Sequence, residues 1–254
     1  MSEEIIKKTI ENKIESKVEG STEKPKDSRI IKKQRQRSDL SNLLARSITD
    51  QNISVFIDAG NIYHTSVKSG IRVDFTQIAR WFQENTKKSL DLRFYTAYDP
   101  ENTKQIQFLD NLTQVGYSVI KKPIKEIGNM VKGNMDIELA VDAITTKDSF
   151  DSLILISGDG DFTYLVNSLE KSYKKTIILS VGGFTSFELH MVADSYFFFN
   201  RIAKVWQTPA NVTPNTLIVS TDDFQDAYLN TGQKTYETTE KEKPHSIILK
   251  IDSD

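Results

Sequence analysis

The stretch that decides the fold is residues 152–162, which read SLILISGDGDF. Its first five residues are almost all apolar and lack the polar alternation of a half-exposed strand, which is typical of a strand buried on both faces of a parallel sheet. Asp159 and Asp161 follow at once, in a turn that Gly158 and Gly160 allow to be tight. Ligands of parallel α/β sheets bind beyond the carboxyl ends of the strands. This turn is therefore the first candidate for a functional site.

Apolar runs on both sides of this stretch alternate with segments of helical spacing. Further strands are predicted at residues 53–57, 92–97, 117–120, 176–181 and 196–199. Apolar side chains at every third or fourth position predict helices around residues 75–82, 106–115, 137–144, 162–169 and 187–194. In the third of these helices one face is lined by Ile137, Ala140, Val141 and Ile144. The alternation predicts an α/β fold of three layers, a mostly parallel sheet of five to six strands with helices on both faces.

Two more acids are predicted to reach the same edge of the sheet. Asp58 directly follows the strand at 53–57, and Asp136 opens the helix reached from the third strand. Crowded carboxylates repel one another and raise one another's pKa values unless a cation neutralises them. With a cation they form a site that orients water and offsets charge on a phosphodiester. We therefore predict a divalent metal ion bound by Asp58, Asp136, Asp159 and Asp161.

Composition limits the kind of ion. The chain of 254 residues has no cysteine, which excludes disulfides and cysteine-based zinc or iron–sulfur sites. Its three histidines, of which His64 and His190 are interpreted as packing or surface residues, are too far apart for a histidine-rich site. Carboxylate ligands favour a hard ion, Mg²⁺ or Mn²⁺.

Other polar side chains near the acids have a structural interpretation beside the functional one. Asn61 is placed to orient water or a phosphate oxygen, and Ser157 to donate a hydrogen bond to the same phosphate. Asp161 also fits the N-cap of the helix that follows it. The roles of two acids are left open by the sequence. Asp142 is either a supporting acid of the site or simply exposed, and Asp194 either caps a segment of the backbone or joins the acidic edge.

Charge and composition divide the chain into three parts. Residues 1–50 contain no aromatic residue and carry a net charge of +3, from 12 basic and 9 acidic side chains, and are expected to be a disordered or partly helical arm. Residues 51–206 form the predicted domain, and residues 207–254, with 4 basic and 8 acidic side chains, an acidic and mostly irregular tail. The arm is either a solvated linker or a phosphate-contacting segment. The residues predicted to contact a nucleic acid are the basic residues of the arm and one of the domain: Arg29, Lys32, Lys33, Arg35, Arg37 and Lys132.

The sequence shows no run of about 18 apolar residues and no apolar leader after Met1, so we expect no membrane span and a cytoplasmic location. The terminal extensions leave open a homo-oligomer or a protein partner.

Three segments together resemble a known family. They are residues 56–63 (FIDAGNIY), 132–142 (KGNMDIELAVD) and 155–162 (LISGDGDF). In this order and at this spacing they are similar to the NYN domain family, in its LabA-like branch, and residues 186–194 are similar to the closing helix of that family. The resemblance covers about 150 residues, and its third segment is the most specific.

The resemblance implies a PIN-like, metal-dependent ribonuclease that cuts RNA internally. It places Asp58, Asp136, Asp159 and Asp161 on the acidic positions of the family, and Asn61 on its asparagine. Ala59 is a departure, since glycine is frequent there. The alternative is a non-catalytic RNA-binding or regulatory module. A phosphatase with Asp58 as nucleophile is disfavoured, because Gly60 stands where a second aspartate would be needed.

Overall fold

Parallel strands form the main sheet in the computed structural model, which describes residues 40–127 and 130–199. The strands are β1 (Ile53–Asp58), β2 (Leu90–Tyr98), β3 (Ser118–Pro123), β6 (Ser152–Ile156), β7 (Lys175–Ser180) and β8 (Ser195–Phe198). They lie in the order β3-β2-β1-β6-β7-β8, and every neighbouring pair is parallel. A separate antiparallel hairpin consists of β4 (Lys125–Ile127) and β5 (Met130–Lys132).

Helices connect the strands and cover the sheet. They are α1 (residues 40–48), α2 (Ala59–Ser69), α3 (Phe75–Asn85), α4 (Thr103–Val115), α5 (Asp136–Thr145), α6 (Thr163–Lys171) and α7 (Phe187–Val192). Short 3₁₀ turns lie at Lys147–Ser149 and Gly160–Phe162. Among the described residues, no helix is long and apolar enough to cross a membrane.

The buried side chains form two cores, one on each face of the sheet. Val55 and Ile57 of β1 belong to the core beneath α1 to α4, whereas Phe56 belongs to the core beneath α5 to α7. Successive residues of a strand point to opposite faces, so a strand that is apolar at every position is needed between two helical layers. The predicted three-layer α/β fold is confirmed.

The folded body begins earlier than residue 51. Leu44 and Ile48 of α1 are buried in the first core, so part of the segment that we assigned to the arm belongs to the domain. The predicted basic cluster from Arg29 to Arg37 and the acidic tail at 207–254 lie outside the described residues. The side chain of Lys132 lies outside them as well.

Helix α2 stands where the sequence predicts only a turn. Only Ala59 and Ile62 supply buried apolar side chains to it, so the periodic signal is weak. Its start is marked instead by Asp58, whose carboxylate caps the helix by accepting the N–H of Asn61. It ends at Gly70, which adopts a left-handed conformation with φ 64°.

Helix α5 presents its apolar stripe to solvent. Ile137, Val141 and Ile144 of this stripe are exposed, whereas Leu139 and Ala143, on another face of the helix, are buried. The orientation of the helix follows from its ion pairs, because two acids on the buried side pair with cations of the sheet. Glu138 accepts from Lys122 of β3, and Asp142 accepts from Arg93 of β2. These pairs turn the face formed by residues 138, 139, 142 and 143 toward the strands.

Candidate metal centre

The strand order reverses between β1 and β6. The chain moves from β1 to β2 and β3 on one side, and from β6 to β7 and β8 on the other. A crevice opens at such a switch point beyond the carboxyl ends of the two central strands. Asp58 ends β1, and residues 157–159 follow β6 directly, so these predicted site residues do share one edge.

Three carboxylates converge at this edge. Asp136, Asp159 and Asp161 each offer an oxygen, and these oxygens all lie within 4.8 Å of one another. Asp136 and Asp159 are half-buried and Asp161 is exposed, so the group is open to solvent on one side. Its donors are carboxylate oxygens, the ligands that Mg²⁺ and Mn²⁺ prefer. The residues present therefore fit a hard divalent cation.

Asp159, rather than Asp161, makes the capping bond in the turn. Its Oδ1 accepts the N–H of Asp161 at 3.0 Å and caps the 3₁₀ helix Gly160–Phe162. The residue before α6 is Phe162, which makes no side-chain cap bond. The alternative interpretation of Asp161 as a helix cap is wrong, and its carboxylate points to the group of three instead.

The glycines of the turn are required by a neighbouring loop. A Cβ on Gly158 would lie 2.2 Å from the carbonyl oxygen of Phe184, and one on Gly160 would lie 2.9 Å from Ser186 Oγ. The Ser186 N–H also donates to the Gly158 carbonyl at 2.9 Å. Neither glycine has a positive φ. The tightness that the sequence suggests thus comes from close packing against residues 184–186, and not from a left-handed backbone.

Asn134 orients Asp136. Its Oδ1 accepts the Asp136 N–H at 2.7 Å, and its Nδ2 donates to Asp136 Oδ2 at 2.5 Å. Burial raises the pKa of Asp136, and the charges of Asp159 and Asp161 raise it further, while Asn134 and the charge of Lys122 lower it. Sequence reasoning quoted Asn134 within a motif but assigned it no role, and it missed Lys122, since its place beside Asp136 depends on how β3 and α5 pack.

Asp58 lies behind the three carboxylates and is buried. Its Oδ1 accepts the N–H of Asn61 at 3.2 Å, and its Oδ2 accepts the hydroxyl of Ser157 at 2.9 Å. Burial is the largest cause that raises the pKa of Asp58 to about 7, followed by the charge of Asp136 and, more weakly, that of Asp159. The Asp58 carboxylate is thus electrostatically coupled to the group of three without belonging to it.

Asn61 and Ser157 join the two central strand ends. The Asn61 Oδ1 accepts the N–H of Gly158 at 3.0 Å, and the Ser157 Oγ accepts the N–H of Asp159 at 3.1 Å. Together with the Asp58 bonds, they hold the start of α2 against the acidic turn. Both side chains therefore fix the geometry of the site.

Asp142 lies outside the group of three, in a network of its own. Its Oδ2 accepts from Arg93 Nη1 at 3.2 Å and from the Tyr95 hydroxyl at 3.0 Å. Arg93 also donates to Asp91 at 2.7 Å. Asp142 therefore fixes α5 on the sheet, which is a supporting position.

Asp194 is at the opposite edge of the sheet. Its Oδ2 accepts the N–H of Thr176, near the start of β7, at 2.8 Å. With Arg46 and Lys175 it lines a cavity of about 420 Å³ at that amino edge. The open alternative that Asp194 joins the acidic edge is wrong. His64 and His190 each contact a neighbouring tyrosine ring, Tyr63 and Tyr196, at a tilted angle.

A parallel three-layer sheet with an acidic edge at its switch point is the arrangement of the PIN-like class of folds. The model of the NYN domain family matches residues 52–202, and the chain belongs to that family. It is similar to the low amplitude and bright protein LabA of Synechococcus elongatus, with 30% identity in an alignment of 159 residues that covers 59% of this chain and 84% of LabA. It is also similar to the crystal structure of a protein of unknown function from Vibrio parahaemolyticus. That match has a TM-score of 0.55 and 28% identity, and covers 62% of this chain and 96% of that one.

Membership of the NYN family confirms the resemblance, including its LabA-like character. The family is one of PIN-like nucleases that typically need a divalent metal, and membership supports an RNA-related function for this chain.

Proposed function

We propose that the protein is a Mg²⁺- or Mn²⁺-dependent ribonuclease that hydrolyses phosphodiester bonds within RNA. The observation that carries the proposal is the convergence of Asp136, Asp159 and Asp161, whose carboxylate oxygens lie within 4.8 Å of one another at the switch point of the sheet. The charges of Asp159 and Asp161 raise the pKa of Asp136, and a divalent cation relieves this repulsion.

The three carboxylates would hold the ion, and each is positioned differently. Asn134 donates one hydrogen bond to the carboxylate of Asp136 and accepts a second from its backbone N–H, and Asp159 is fixed by its bond to the backbone of the turn. Asp161 is exposed, so it lies on the side from which a substrate phosphate arrives. A bound ion supplies Lewis acidity toward the phosphate and lowers the pKa of water to a range useful at neutral pH.

Asp58, Asn61 and Ser157 act in this proposal as positioning residues. Both oxygens of Asp58 already accept hydrogen bonds, and one of these comes from Ser157, whose Oγ also accepts the N–H of Asp159. The buried Asp58 adds negative potential behind the group of three, because its charge and that of Asp136 interact. Direct ligation of the ion by Asp58 stays a prediction.

Lys122, which also pairs with Glu138, adds positive charge at the rim. It lies close enough to Asp136 for its charge to lower the pKa of that acid, and it is half-exposed. A cation beside the acids suits an incoming phosphate, which the carboxylates alone would repel.

The test is cleavage of end-labelled RNAs, single-stranded and structured, by purified protein with Mn²⁺, with Mg²⁺ and with EDTA. We expect internal cuts that need the metal and that Asp159→Asn and Asp161→Asn each slow by roughly 100-fold or more. Loss of partners outside a metal's ligand set already costs about 10- to 100-fold. Asp110→Asn, at an exposed acid of α4, is the matched control and should cut at the wild-type rate.

Cleavage that survives in Asp159→Asn and Asp161→Asn would show a contaminating nuclease and sink the assignment. RNA binding without cleavage under any metal would favour the non-catalytic module instead.

A further inference from the structure

Two aromatic side chains are exposed on helices that begin close to the acidic group. Tyr164 is 81% exposed in the first turn of α6, and Phe187 is 72% exposed at the start of α7. Large aromatic side chains are usually buried, and an exposed group of them marks an interaction site more often than a single one does.

Both aromatics lie at the same edge as the three carboxylates. Tyr164 follows Asp161 by three residues, and α6 starts directly after the acidic turn. Phe187 follows Ser186, the residue whose Oγ would lie 2.9 Å from a Cβ on Gly160, between the two acids. Helix α7 also packs against both α6 and the Gly160–Phe162 turn.

Neither ring is part of the two buried cores. The same two helices fill the core with Leu165, Val166 and Leu189, all of them buried. Gly158 and Gly160 meet residues 184–186 through close contacts and one backbone hydrogen bond, none of which involves the Phe187 side chain. The positions of Tyr164 and Phe187 are therefore free to serve a ligand that reaches the acidic group.

We propose that Tyr164 and Phe187 form a stacking subsite for unpaired bases of a nucleic acid whose backbone passes the acidic group. Every base has a π-face, so aromatic side chains bind single strands with little dependence on sequence. In a duplex the bases are already stacked on one another, and the rings would have no face to contact. The proposal rests on the proposed function for the path of the strand, and it adds the preference for single-stranded substrate.

We favour a nucleic acid over a protein segment as the ligand. The edge that carries the two aromatic residues also carries the candidate cation site, and a bound cation attracts phosphates. The two helices that carry the rings begin at the edge of the three carboxylates, which fit a divalent cation. In a single strand the bases offer flat faces to the aromatic rings, and the phosphates offer negative charge to the cation.

The experiment measures binding of fluorescent 12-nucleotide RNA, single-stranded and as a duplex of the same sequence, to Tyr164→Ala and Phe187→Ala. Ca²⁺ replaces Mg²⁺, and a gel checks that the RNA stays intact. We expect each substitution to weaken single-strand binding by about 5- to 150-fold and to change duplex binding little. Tyr164→Phe, which keeps the ring, should retain the wild-type affinity.

Tyr173→Ala is the matched control, since Tyr173 is 96% exposed beyond the far end of α6. A second readout is an RNA that carries 2-aminopurine, whose emission a stacked ring quenches. We expect quenching by the wild type and by Tyr173→Ala, and less by Tyr164→Ala or Phe187→Ala.

Affinity unchanged in both alanine variants, or lost equally for single strand and duplex, would overturn the subsite. So would a wild type that binds no RNA, which would leave the aromatics to a protein partner. Hydrolysis of bis(p-nitrophenyl) phosphate, which has no bases, separates the two proposals. Metal-dependent turnover of that ester without RNA stacking defeats only the subsite, whereas stacking without turnover defeats only the nuclease.

Discussion

At the scale of single residues, Asp58 shows how burial and neighbouring charge act on one carboxyl. Its pKa is raised from 3.8 to about 7, with burial the largest cause and the charge of Asp136 the next. The folded state therefore holds this proton more tightly than the unfolded state does. The stabilisation is fully present below about pH 4 and is lost as the pH rises through about 7.

Asp58→Asn should flatten this dependence. In the absence of divalent ions we expect the free energy of unfolding of the wild type to fall between about pH 5 and about pH 8, by at most about 3 kcal/mol from this group. The variant keeps an oxygen for the Asn61 N–H and carries no charge, so its slope should be shallower. Urea unfolding at both pH values measures it. Equal slopes in the two proteins would show that Asp58 does not titrate as a buried acid.

Gly158 is the residue at which a single methyl group should matter most. Its Cβ would lie 2.2 Å from the Phe184 carbonyl oxygen, and backbone yields less readily than a side chain. We expect Gly158→Ala to destabilise the protein by about 3 kcal/mol, as overpacking does. Thermal unfolding checks this against Gly60→Ala in α2, where the nearest atom is 3.6 Å away and the change should be neutral or slightly stabilising. A Gly158→Ala protein as stable as Gly60→Ala would contradict the close approach of the loop.

At the scale of elements, α5 shows that an apolar stripe at helical spacing need not be the buried face of a helix. Its apolar stripe is exposed because Glu138 and Asp142, on the other side, pair with Lys122 and Arg93 of the sheet. Leu139 is the buried apolar anchor of that side.

Substitutions on the two faces of α5 should therefore differ. We expect Leu139→Ala to lower the free energy of unfolding by about 2–5 kcal/mol, because it leaves a cavity in a packed core. Val141→Gln, on the exposed stripe, should change it by less than about 0.5 kcal/mol. Denaturant titration of both proteins makes the comparison. A large loss in Val141→Gln would mean that the stripe is covered in solution, as an oligomer interface would cover it.

At the scale of the whole molecule, the acidic group links metal binding to stability. A cation that binds only the folded state stabilises it by mass action, which gives a rise in Tm of roughly 5–10 °C at a concentration of 100 times Kd. We expect this rise with Mn²⁺ or Mg²⁺ at about pH 8, and a smaller one at about pH 5, where protons compete with the ion for Asp136, whose pKa is raised. Asp136→Asn should reduce the rise, and Asp110→Asn should not. A rise of the same size in Asp136→Asn would place the ion elsewhere.

Much of the fold follows from short-range patterns. The strand at Ser152–Ile156 coincides with its prediction, and the other five strands of the sheet differ from theirs by a few residues at the ends. Helix α2 and the hairpin of β4 and β5 were missed, because α2 has few buried apolar residues and each hairpin strand has only three residues.

The sequence by itself determined the layer order of the fold, the edge that carries the acids and the family. Apolar runs, helical spacing and the SGDGD turn are local features, readable from neighbouring residues alone. Only the tertiary structure decided which carboxylates meet. It brought Asp136 to Asp159 and Asp161 within 4.8 Å, set Asp58 behind them in a buried position, and moved Asp194 to the opposite edge. These outcomes depend on contacts between residues far apart in the chain, such as Ser157 with Asp58 and Arg93 with Asp142, which no local pattern encodes. The sequence placed Asp136 and Asp58 alike at the edge of the acidic turn, and the packing of α5 decided that Asp136, and not Asp58, joins the group of three.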